Sequence, residues 1–214
     1  MSFLLPGLDP EKLDSLQRTF SDRLRTTEPG SRNLWPSARA LLNTQYCAVE
    51  DLGTTRRRCI DIGLSILDAG NRTNSVLLME LWGLAWQQGD PALLRRVARS
   101  TRKVPDAFGA DRQYQLFVEA GTLPSLAPPS PDGDPDIGRA VALPVIEARA
   151  LVLDVTRCWM ERARRQPTTG RRVAMLGPLV WMRGVAWARY AISGEDIVPA
   201  EVGSFFYDWP HQRE

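Results

Sequence analysis

The sequence predicts an all-α protein of about eight helices, on three observations. Apolar residues recur at helical spacing along most of the chain. No stretch alternates apolar and polar residues about a hairpin dipeptide. A hydrophobic content of 43% with seven Trp supplies the surface for a real core, which disordered chains lack. The expected organisation is an N-terminal multi-helix bundle over residues 1–121, a proline-rich linker over 122–136, two long apolar C-terminal helices over 137–194, and an acidic aromatic tail over 195–214.

Asp9-Pro10-Glu11 opens the first helix, with a capping acceptor, proline at the first helical position and an early acid. Leu13, Leu16, Phe20 and Leu24 then mark one face to about residue 26. Glu28-Pro29-Gly30 ends it. Trp35-Pro36-Ser37 opens a second helix expected to reach Leu52, with Gly53 as its stop. Thr54 then caps a third, carrying Cys59, Ile60, Leu64 and Leu67 to the break at Gly70-Asn71. Residues 75–88 are apolar almost all round, so this fourth helix should lie deep. Asp90-Pro91 repeats the opening signal and starts a fifth, to about Arg102. A sixth is expected over 110–120, from Tyr114, Phe117 and Val118.

Residues 122–136 hold five prolines and exclude regular structure. Beyond them, 144–165 reads as a long helix with only a narrow polar stripe, expected to be largely buried. The stretch 173–192 is apolar enough to raise a membrane span. Arg183 at its centre, which costs about 2.5–3.5 kcal/mol on insertion, and the interruption Gly177-Pro178 argue for a central core helix instead.

Charge is uneven beneath a net +2. Residues 137–194 carry ten Arg against Glu147, Asp154 and Glu161, whereas 195–214 is acidic. That asymmetry fits an acidic partner, or an acidic tail lying on basic helices. Arginine outnumbers lysine 25 to 2, an excess spread along the whole chain as a GC-rich coding sequence produces.

Chemical motifs are scarce. The single histidine, His211, lies in the tail, which leaves the usual Ser-His and Cys-His pairings without a base. There is no phosphate-binding P-loop and no G-x-G-x-x-G. Asp132-Gly133-Asp134-Pro135-Asp136 resembles a calcium loop, but Leu143 stands where glutamate is needed. Glu50-Asp51 and the heptad-spaced Glu147, Asp154 and Glu161 read as wet polar positions rather than acid–base groups. Cys47, Cys59 and Cys158 match neither a disulfide framework nor a zinc site. The expectation is a non-enzyme with no cofactor and no metal. With reduced thiols and no basic leader in the first residues, the expected location is intracellular and cytoplasmic, a virion being the alternative.

The arginine clusters carry the functional expectation. Arg95, Arg96, Arg99, Arg102 and Lys103 fall late in the fifth helix, where the helix dipole welcomes cations. Arg56, Arg57 and Arg58, and Arg171 and Arg172, fall in expected first turns, where each costs about 0.3–1 kcal/mol. An anion bound to the exposed N–H groups would relieve that cost. The alternative is that the second and third helices run on through Gly53. Phe205, Phe206, Tyr207 and Trp209 crowd four aromatics into five residues and must dock, on their own chain or on a neighbouring subunit. The expected function is therefore a self-assembling, capsid-like homo-oligomer that binds the RNA or DNA backbone without sequence preference. Its competitor is a protein–protein adaptor meeting an acidic protein partner through the aromatic tail or the Pro-rich linker.

Overall fold

The computed structural model describes residues 5, 7–70, 75–101, 140, 143–207 and 209. Among the described residues the protein is all-α, with eight α-helices, one 3-10 helix and no strand. The helix expected over 110–120 and the linker over 122–136 lie outside the described residues.

Helix α1 (Pro10–Thr26) starts as its sequence dictates: the Asp9 carboxylate accepts from the Lys12 N–H at 3.2 Å and Pro10 fills the first turn. Helix α2 (Leu34–Cys47) stops five residues short of the expected Leu52. Val49 adopts φ +57°, while Glu50 N–H donates to the Gln45 carbonyl and Val49 N–H to the Tyr46 carbonyl. This is the left-handed C-terminal motif that normally takes glycine. A valine there gives no local stop signal, which is why the sequence places the end too late. Helix α3 (Gly53–Asp68) therefore begins afresh, and α2 and α3 are not continuous.

Helix α4 (Ser75–Gln88) is the centre of the molecule, as its all-round apolarity requires: residues 80–87 are all buried. It packs on α3, on α5 (Pro91–Thr101) and most extensively on α8 (Gly177–Ser193). At the α4–α8 crossing a Cβ on Gly184 would collide with the Gly83 backbone, so residue 184 has to be glycine for the two helices to come this close. Asp90 caps α5, its Oδ1 accepting from the N–H groups of Ala92 and Leu93.

Helix α6 (Val145–Arg164) corrects an expectation. It buries only one stripe, Ala148, Val152, Val155, Thr156, Trp159 and Ala163, and leaves a broad wet face on which even Ile146 is 84% exposed. Among the described residues its main neighbours are α7 (Thr169–Ala174), α8 and the 3-10 helix Ala200–Phe206, which cover that one stripe. The stretch 173–192 is likewise not one helix. Pro178 has no N–H to continue a helix and falls instead in the first turn of a new one: α7 ends at Ala174 and α8 restarts at Gly177. No helix among the described residues is long and apolar enough to cross a membrane. The buried cluster runs from Leu5 to Trp209 and draws on residues from both sides of 102–139.

Candidate functional site

Helices α3 and α5 lie side by side and run in the same direction, joined by a ladder of polar contacts. Arg57 faces Asp90 at 3.9 Å, Asp61 faces Arg96 at 3.5 Å, and Ser100 donates to Asp68 at 3.4 Å. All four ion-pair side chains are well solvated, and such pairs contribute about 0–1 kcal/mol. They orient the two helices more than they neutralise them. Arg58, Arg95 and Arg99 are exposed, and among the described residues no carboxylate pairs with them. Arg95 and Arg99 are one turn apart on the same face, Arg99 Nε donating to the Arg95 carbonyl at 3.3 Å. Arg102 and Lys103 lie outside the described residues.

The argument from helix starts fares less well. Only Arg56 falls in the first turn of α3, where it is half-buried, and Arg57 and Arg58 belong to the second. The Asp51 carboxylate already accepts from the Gly53 N–H at 3.0 Å, serving the helix start from within the protein. Arg171 and Arg172 sit on the six-residue α7, capped by Thr168, whose hydroxyl accepts from the Arg171 N–H at 3.3 Å. Arg172 is occupied with backbone oxygens: its Nε donates to the Gln166 carbonyl at 2.9 Å and its Nη1 to the Gly7 carbonyl. This helix packs on α1, α2 and α6, so its two arginines form a group apart from the α3–α5 set.

The aromatic tail is anchored inside its own chain. Phe205, Phe206 and Trp209 are buried, and Tyr207 is half-buried with its hydroxyl donating to the Glu50 carbonyl at 2.7 Å. Trp209 packs edge-on against Trp187 and Phe206, at 4.8 and 5.9 Å between ring centroids. The anchor is Arg183, 1% exposed, which the sequence marks only as a charge in an apolar stretch. Its Nη1 donates to the Phe205 carbonyl at 2.8 Å and to the Tyr46 hydroxyl at 3.1 Å, and its Nε to Gln87 Oε1 at 3.3 Å. The guanidinium also lies 4.6 Å from the Tyr46 ring centroid. Tyr46 in turn donates to the same Phe205 carbonyl.

Two further charges are enclosed. Glu80 accepts from Trp35 Nε1 at 2.9 Å and from Arg39 Nη1 at 3.0 Å; its burial outweighs both contacts and raises its pKa above the usual 4.5. Arg189 donates to the Ala140 and Leu143 carbonyls and binds Glu195 at 2.7 Å, and the hydrogen bonds it gives lower the Glu195 pKa. Burial pushes the Cys47 and Cys59 thiols up to about 12, which leaves them protonated at neutral pH. Among the described residues no three His, Cys, Asp or Glu side chains gather where they could hold a metal. No protein-family model matches this chain, and comparison with curated proteins and with solved structures likewise gives no match.

Proposed function

We propose that this chain is a non-enzymatic helical protein that holds nucleic acid by its phosphate backbone, without reading sequence, on the face built by α3 and α5. The single observation that carries the reading is the solvent-facing set Arg58, Arg95 and Arg99, uncompensated by carboxylates among the described residues, on two helices held in parallel. Guanidinium groups bind phosphate oxygens in a forked geometry, and each phosphate neutralised releases counterions. Arg57 and Arg96 add to the set, because their solvated carboxylate partners at 3.9 and 3.5 Å are easily exchanged for phosphate.

A capsid-like assembly remains part of the proposal in a modified form. The aromatic tail is spent on the chain's own core, and among the described residues only Val49 and Ile146 are large apolar side chains left exposed. Copies would then gather on a shared polyanion rather than through a preformed apolar interface. The adaptor reading loses the tail as a docking element and keeps the Pro-rich linker, which lies outside the described residues. Filter binding of single- and double-stranded RNA and DNA of mixed sequence, over a salt series, tests the proposal. The expected result is retention of all four at low salt with little sequence preference; no retention of any would overturn it.

A further inference from the structure

A cleft of about 230 Å³ opens between α1, α2 and α7, away from the arginines invoked above. Leu16 and Phe20 from α1, Pro36 and Ala40 from α2, and Val173 and Ala174 from α7 form its apolar walls. Two polar side chains interrupt them, Arg39 and Asn43, one turn apart on the same face of α2. Pro36 and Ala174 are exposed at the rim, and Asn43 lies deepest, 2% exposed.

Asn43 is poorly satisfied where it lies. Its Nδ2 makes one long bond, 3.5 Å, to the Val173 carbonyl, and its Oδ1 is closed off from solvent with no hydrogen-bond partner. A buried acceptor left empty is destabilising, and a donor that reaches it recovers that loss. The amide torsion has broad minima, so the oxygen can turn to meet a donor placed in the cleft. Arg39 engages Glu80 through Nη1 and keeps further N–H groups for an acceptor. Because Glu80 already balances that guanidinium at 3.0 Å, the cleft offers hydrogen bonds rather than net charge. Since a cavity of about 150 Å³ holds benzene, this volume suits roughly nine non-hydrogen atoms.

We propose that this cleft binds a small uncharged molecule bearing a carboxamide on an apolar body, its N–H donating to Asn43 Oδ1 and its carbonyl accepting from Arg39. A carboxylate brings no donor for Asn43, and its charge meets a guanidinium that Glu80 already balances. A hydrocarbon leaves both polar groups unused. The proposal rests on none of the arginines assigned to nucleic acid, so each stands or falls alone.

Benzamide is the probe, with benzoate and toluene as comparisons, titrated into the full chain and followed by backbone amide chemical shifts. Benzamide should give saturable shifts confined to residues 16–20, 36–43 and 170–174, with a Kd on the order of 1 mM for a ligand of this size. It should bind more tightly than benzoate or toluene. Asn43→Leu should weaken it about fivefold or more through loss of one hydrogen bond, and Ala174→Phe, at the exposed rim, should block it. Absent saturation, shifts centred elsewhere, benzoate or toluene binding at least as well, or undiminished affinity in a folded Asn43→Leu would each overturn the site. If Asn43→Leu does not fold, Ala174→Phe decides: retained binding there rejects the proposal.

Discussion

Arg183 is the residue on which the C-terminal segment depends. Truncation to alanine removes one of two donors to the Phe205 carbonyl and a donor to the Tyr46 hydroxyl, and opens a cavity among Tyr46, Phe206 and Tyr207. Arg183→Ala should lose about 3–5 kcal/mol in urea unfolding, with Arg183→Met losing less because it keeps the volume; a loss below about 1 kcal/mol in the alanine variant would contradict this role. Glu80 makes a second prediction, through pH. Its folded pKa is raised by burial, so the folded state binds more protons than the unfolded chain above the ordinary 4.5. Stability contributed by its protonated form is complete below that value and falls as pH rises through the raised pKa. Relative to Glu80→Gln, the wild type should therefore lose stability over that window, as chemical denaturation at successive pH values would show; a parallel pair of profiles would refute it. The sequence reveals Arg183 as a charge where none is welcome. It cannot reveal that the partner is a main-chain oxygen 22 residues away, because that pairing exists only once the 3-10 helix has folded back.

Helix boundaries separate what is local from what is not. Asp9-Pro10 and Asp90-Pro91 are read correctly because cap, proline and first turn lie within a few residues. The end of α2 is missed because Val49 holds a left-handed conformation that its side chain opposes. Neighbours impose it: Glu50, next in line, accepts from Gln17 Nε2 at 3.0 Å on α1 and from the Tyr207 hydroxyl in the tail. Val49→Gly should accordingly stabilise the fold by about 1 kcal/mol, relief of left-handed strain exceeding the added freedom of the unfolded chain. A thermal midpoint that falls instead would show that the valine packs better than its exposure of 39% implies. Helix α6 is misjudged for a related reason. Periodicity tells which stripe is most apolar, whereas how much of the remainder is covered depends on neighbours that the local sequence does not name.

The arrangement of the whole molecule turns a dispersed arginine excess into distinct groups. Arg183 and Arg189 hold the interior together, Arg172 ties the N-terminal segment to the loop before α7, and the α3–α5 set faces solvent. A count of charges along the chain cannot make that division, since all are arginines in helical sequence. The central claim is that the exposed set meets phosphate, and its signature is thermodynamic. Fluorescence anisotropy of a labelled RNA or DNA strand, measured against wild type and an Arg58→Gln, Arg95→Gln, Arg99→Gln triple variant over a series of salt concentrations, reads it directly. The account predicts that log affinity falls linearly with log salt for the wild type, and that the triple variant binds more weakly with a slope shallower by about 2–3, for three phosphate contacts removed. Equal slopes for the two proteins, or no binding by the wild type at the lowest salt, would contradict it.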